Sequence, residues 1–139
     1  VKSEFTIAVH SLVYLAYLPE HMASSEMIAE NVATNPARIR KIMSCLRKNG
    51  FVTTKEGNGG GYILNSNPQE LTLAHIYQAV SHGTLKPHWS SGNPEESCPI
   101  SANMHVVMNQ IFHDAENYFE KYLETITISS VLADIKLCP

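Results

Sequence analysis

Apolar residues recur along this chain at two spacings, three-to-four and two, and the changes between them mark out its elements. Over residues 3–18, Phe5, Ala8, Val9, Leu12, Leu15 and Ala16 keep helical spacing and predict an amphipathic first helix. Pro19 to Ala23 predicts a turn. Ser24 or Ser25 then caps a second helix whose apolar side is Met27, Ile28, Ala29 and Val32. With Ser25 as the cap, Ile28 stands three residues on, so the Glu or Gln of a capping box is missing. Ala33-Thr34-Asn35-Pro36 leads into a third helix. Pro36 suits its first turn, where no N–H is needed, and Asn35 caps from outside. Ile39, Ile42, Met43 and Leu46 form one apolar face, and Asn49-Gly50 stops the helix. Residues 51–55 and 62–64 are strand-like runs around the tip Glu56-Gly57-Asn58-Gly59-Gly60-Gly61.

In the second half, Asn67-Pro68 makes a turn and Thr72 caps a short helix containing Leu73, Ile76, Tyr77 and Val80, which Gly83 ends. Residues 84–100, rich in Pro and Ser, form a loop long enough to suggest a function. Ser101 is expected to cap a long helix reaching about Thr125. In it Met104, Met108, Ile111, Ala115, Tyr118 and Tyr122 step by 4, 3, 4, 3, 4, an a/d seam widened by Val107, Phe112, Phe119 and Leu123. A chain of this size buries one side of such a helix, so the seam is expected to face a second copy. Thr127 starts a last short helix with Ile128, Val131 and Leu132.

Charge adds to this picture. The chain carries a net −3, yet residues 36–64 hold six Lys/Arg against one acid, leaving −8 on the rest. On the third helix Lys41, Ser44 and Lys48 point away from the apolar face, and Arg38, Arg40 and Arg47 flank it. A basic element on an acidic body is the footprint of a nucleic-acid binder. Two short helices with a tight turn, the second one basic and followed by a hairpin, are a helix-turn-helix with a wing. The expected contacts to double-stranded DNA are Ser24, Ser25, Asn35, Arg38, Arg40, Lys41, Ser44, Arg47 and Lys48, with Lys55, Asn58, Gly59 and Gly60 from the wing. The fold class is mainly α with a small β-hairpin. A winged helix-turn-helix spans 1–83, a sensor-type loop 84–100, and a dimerisation helix with a short terminal helix 101–139.

Other chemistries fit poorly. GNGGGY lacks the Lys-Ser/Thr of a Walker A loop, and Tyr62 stands where GxGxxG needs its last Gly. No Ser/His/Asp, Cys/His or paired-carboxylate arrangement suggests catalysis, so the chain is not expected to be an enzyme. No apolar run approaches the roughly 18 residues that span a membrane. Three cysteines, Cys45, Cys98 and Cys138, do not make a secreted disulfide framework, and a cytoplasmic location is expected. His82, His88, Cys98 and His105 match no compact zinc motif, so no metal or other cofactor is expected.

The stretch 24–83, above all LRKNGFV at 46–52 and GNGGGYIL at 57–64, resembles the Rrf-two (Rrf2) family of bacterial transcriptional regulators. TLAHIYQAV at 72–80 and ETITISSVLADI at 124–135 extend the resemblance over nearly the whole chain. It implies a homodimer that crosses its long helices, binds a palindromic operator and represses transcription. Cluster-binding members place three cysteines in the loop, where this chain has only Cys98, so the resemblance is to a cluster-free, YwnA-like branch. Glu56 stands in the wing where cluster-binding relatives carry Arg. Cys98 is the candidate sensor. The alternative signal is an effector, small molecule or protein, bound by the same loop, with Trp89 and Tyr77 as an aromatic wall. A second function class is an interaction module acting mainly through a protein partner, with DNA contact secondary.

Overall fold

A computed structural model describes residues 2–138; Val1 and Pro139, the outer limits of the expected segments, lie outside the described residues. The element order is α1 (Ser3–Tyr17), β1 (Met22–Ala23), α2 (Ser25–Val32), α3 (Pro36–Lys48), β2 (Val52–Lys55), β3 (Gly61–Leu64), α4 (Leu73–Val80), α5 (Pro99–Leu123) and α6 (Ile128–Leu137). The fold is mainly α, as the spacing predicts. The hairpin is part of a three-stranded antiparallel sheet in the order β1-β3-β2. The expected turn at 19–23 therefore contains a strand, with Met22 opposite Ile63 and Ala23 opposite Tyr62. A glycine at 61 makes this third strand fit: a Cβ there would lie 2.4 Å from the Ala23 carbonyl oxygen.

The helix boundaries follow local chemistry. Ser24, rather than Ser25, caps α2, its side chain accepting from the Met27 amide at 3.2 Å. Asn35 caps α3, accepting from the Arg38 amide at 2.8 Å, with Pro36 in the first turn. Thr72 and Thr127 cap α4 and α6, each in a reciprocal capping box. The long helix starts earlier than expected. Pro99 occupies its first turn and Cys98 is the cap residue, so Ser101 lies inside the helix. Proline sets this boundary, because its fixed φ favours the first helical turn and its missing N–H costs nothing there.

One core joins all the helices. Leu12 and Leu15 from α1, Ile28 from α2, Ile39, Met43 and Leu46 from α3 and Ile76 from α4 are fully buried, and so is Ile128 from α6. Leu123, at the end of α5, belongs to the same cluster. Backbone bonds tie α6 down: the Leu73 amide donates to the Ile126 carbonyl at 2.9 Å and the Ile128 amide to the Leu71 carbonyl at 3.0 Å.

Tyr77 is fully buried in this assembly. Its ring meets Phe5 and Phe119 edge-on, at centroid distances of 5.5 and 5.0 Å, and so joins α1, α4 and α5. Its hydroxyl donates to Glu116 Oε2 at 3.0 Å. Burial and the neighbouring Glu116 carboxylate push the Tyr77 hydroxyl up to about 12. Tyr77→Phe leaves a sheltered carboxylate oxygen without its donor, a loss worth about 1–3 kcal/mol. Urea unfolding is expected to show that destabilisation with an unchanged m-value. Equal midpoints for the two proteins would mean that the bond contributes nothing.

Candidate nucleic-acid interface

The apolar positions of α3 fix which way its charges point. Ile39, Ile42, Met43 and Leu46 are at most 3% exposed, so the helix is seated on one face. Arg40, Lys41, Ser44, Arg47 and Lys48 are exposed on the others. Arg47 and Lys48 fall in the last turn, where the helix dipole favours cations. That dipole explains part of their placement, but not Lys41 or Arg40 nearer the start of the helix.

The expected contacts divide by what they already touch. Lys41, Arg47, Lys48 and Lys55 make no ion pair among the described residues. Arg40 approaches Glu26 at 3.8 Å and donates to Ser25 Oγ at 3.4 Å, with both charged side chains more than half exposed. Such an exposed pair is weakly held and easily exchanged for a phosphate. Arg38 is more committed: its guanidinium donates to the Ser3 hydroxyl and lies 3.5 Å from Glu4 Oε1 on α1. The Glu4 backbone amide in the first turn of α1, helped by the Arg38 charge, holds the Glu4 carboxyl below its usual range. Asn35 and Ser24 spend their side-chain oxygens on caps. Their structural role is to set where α3 and α2 begin.

The wing is fastened directly to α3. The Phe51 amide donates to the Leu46 carbonyl at 3.0 Å, and the Asn65 side chain to the Gly50 carbonyl at 3.1 Å. Lys55, Asn58 and Gly59 are exposed at its far end. Gly59 has φ +74, the left-handed conformation that glycine accepts at no cost. Gly60 is required for a different reason. A Cβ there would lie 2.1 Å from the Lys55 carbonyl oxygen, so closure of the hairpin, not positive φ, demands glycine.

The expected loop 84–100 ends at Cys98, because α5 takes Pro99 and Ile100; residues 84–98 contain no helix or strand and are exposed over most of their length. Cys98 is fully exposed, and the Ser101 and Ile100 amides lower its thiol pKa. Cys45, on α3, donates its thiol to the Ala79 carbonyl at 3.2 Å, and Cys138 follows α6. The three thiols thus stand on three separate elements, a donor set that does not fit an iron–sulfur cluster. Trp89 borders a small cavity of about 180 Å³ between the loop and α5, beside His105 and Phe112. Tyr77 is wholly buried in the core and offers no wall to that cavity. The expected seam on α5 is mostly uncovered in the single chain: Ile111, Tyr118 and Tyr122 are 51%, 76% and 62% exposed. Sequence patterning did not single out Glu116 and Glu120, which α5 turns toward His82 at the end of α4.

Comparison with known proteins agrees with this geometry. Residues 1–134 match the family Rrf2, described as an iron-dependent transcriptional regulator. The HTH-type transcriptional regulator YwnA of Bacillus subtilis is 26% identical over 134 residues, covering 95% of this chain and 96% of that protein. The crystal structure of a transcriptional regulator from Lactobacillus plantarum superposes with a TM-score of 0.83 at 28% identity, covering 99% of this chain and 92% of the other. CymR, the global cysteine regulator of B. subtilis, shares the fold with a TM-score of 0.68 at 19% identity, covering 96% and 95%. These relatives are regulators, not enzymes. Among the described residues no helix is long and apolar enough to cross a membrane. With its DNA-binding fold and a match over nearly its whole length, the chain belongs to the Rrf2 family of transcriptional regulators.

Proposed function

We propose that this chain is a homodimeric repressor that binds a palindromic operator through α3 and the wing of each copy. In this reading 1–83 contact DNA, 84–100 receive the signal and 101–139 assemble the dimer. The observation that carries it is the exposed ridge Arg40, Lys41, Arg47 and Lys48, held rigidly beside the wing on a chain whose remainder is acidic. Lys41, Ser44 and Lys48 face the major groove, Arg40 and Arg47 its phosphate walls, and Lys55, Asn58 and Gly59 the backbone of the adjacent minor groove. Arg38 is left to hold α3 against α1.

A second copy is supported by two apolar surfaces that the single chain leaves uncovered. One is the α5 stripe of Ile111, Tyr118 and Tyr122. The other is an apolar groove of about 700 Å³ bordered by Phe5, Val9, Tyr17 and Ile135 of α1 and α6. In this reading the α5 stripe of each copy packs on the other about a two-fold axis, and the groove is a second apolar surface available to that contact. The two recognition helices are then expected to lie about one turn of DNA, roughly 34 Å, or a multiple of it apart. The signal in this reading is received without an iron–sulfur cluster. Cys98 is its reactive candidate, and an effector bound at the loop beside Trp89 is the alternative.

Three outcomes follow. Lys41→Ala with Lys48→Ala is expected to weaken binding to the chain's own promoter and to reduce the slope of log affinity against log salt by about 2, near 1 per lost phosphate contact. An unchanged slope would remove α3 as the contact element. Asn58→Asp adds a negative charge at the exposed tip without touching the core. It is expected to lower promoter affinity several-fold with an unchanged melting temperature, and normal affinity would remove the wing. Ile111→Asp alters a side chain already exposed within its own chain, so the fold is retained. In the dimer it buries an unpaired charge, so sedimentation is expected to show folded monomer. A dimer of undiminished affinity would place the interface elsewhere.

A further inference from the structure

His82 stands two residues past the end of α4, after the cap residue Ser81, and Glu116 and Glu120 stand one turn apart on α5. The three converge. His82 Nδ1 lies 2.9 Å from Glu120 Oε1 and 3.4 Å from Glu116 Oε1. One ligand atom from each residue lies within 4.8 Å of the other two. The carboxylates are sheltered, with side chains 11% and 16% exposed, and no Lys or Arg pairs with either among the described residues. Two sheltered like charges this close favour a cation between them. Glu116 is also held in place from behind. The Tyr77 hydroxyl donates to its Oε2 at 3.0 Å and the Gly83 amide to its Oε1 at 2.8 Å. Buried Ser81, immediately before His82, has a hydroxyl with no hydrogen-bond partner.

The distances suit coordination. Two ligand atoms bound about 2.0–2.2 Å from one ion, at tetrahedral or octahedral angles, stand roughly 2.8–3.6 Å apart. Both His82–carboxylate separations fall in that range. A simple imidazole–carboxylate hydrogen bond accounts for the shorter one alone. We propose that His82, Glu116 and Glu120 form a site for a divalent first-row transition ion, bound through Nδ1 and one oxygen of each carboxylate. His82 is 62% exposed, which leaves the outer side of the ion to water. One imidazole and two carboxylates, without thiolate, suit Mn²⁺ or Zn²⁺. Oriented partners behind a ligating carboxylate, here Tyr77 and Gly83, are a regular feature of such sites. Binding there ties the start of the 84–100 loop to α5.

The test uses the full chain without DNA, so its outcome is independent of the operator-binding reading. Mn²⁺ is titrated into the protein while the electron paramagnetic resonance signal of free Mn²⁺ is followed, and Zn²⁺ is then added as competitor. One site per chain is expected, displaced by Zn²⁺. His82→Ala and Glu120→Gln are each expected to weaken it at least about tenfold. Cys98→Ser and His88→Ala are expected to leave it unchanged. His82 is exposed, so His82→Ala keeps the fold, and circular dichroism verifies it. Failure of either ion to bind, affinity unchanged in both site variants, or loss in Cys98→Ser would each overturn the assignment.

Discussion

Ile39, Ile42, Met43 and Leu46 leave α3 no freedom to rotate. Each is buried to within 3% of full enclosure, and each contributes about 1.5–3 kcal/mol by leaving water. Half a turn about the helix axis would expose all four and press Lys41 and Lys48 into the core, at far greater cost. The outward direction of the cations is thus a consequence of apolar packing. The wing inherits the same frame, because Phe51 and Asn65 bond to the C-terminal end of α3. β1 then braces the hairpin from the other side through Met22 and Ala23. The basic ridge and the glycine tip are in this way presented as one surface, although the residues that hold them there carry no charge.

The long helix joins this surface to the rest of the chain by having two kinds of face. Glu116, Phe119 and Leu123 turn inward, to Tyr77, Phe5 and the common core. Ile111, Tyr118 and Tyr122 turn outward and stay more than half exposed among the described residues. Tyr77 matters here because it lies between α1, α4 and α5 and bonds to Glu116. A displacement of α5 therefore strains an enclosed hydrogen bond and two aromatic contacts. That gives a physical path from the loop 84–100, which begins beside Glu116, to the helices that carry α3.

Much of this was legible in the sequence because it rests on periodicity and caps. The spacing of Ile39, Ile42, Met43 and Leu46 predicts both the third helix and its buried side. Asn35, Thr72 and Thr127 predict three helix starts. What was not legible depends on contacts between distant segments. β1 is two residues long, too short to show alternation, and exists because Gly61 lets β3 approach Ala23. The start of α5 reads as Ser101 from cap preference, while Pro99 in the first turn decides for Cys98. Arg38 reads as one more exposed cation, because its partners Ser3 and Glu4 lie on another helix. Periodicity and caps do not single out Glu116 and Glu120. The meeting of Glu120 with His82 spans 38 residues of sequence, and both contacts follow only from how α4 packs on α5.

The central claim is that α3 and the wing, and not the acidic body, face DNA. Lysine acetylation read by mass spectrometry, with and without the promoter duplex, tests this within one molecule. The account predicts that DNA protects Lys41, Lys48 and Lys55, while Lys86, Lys121 and Lys136 react at the same rate in both samples. Uniform reactivity, or protection confined to the lysines of the loop, α5 and α6, would contradict it.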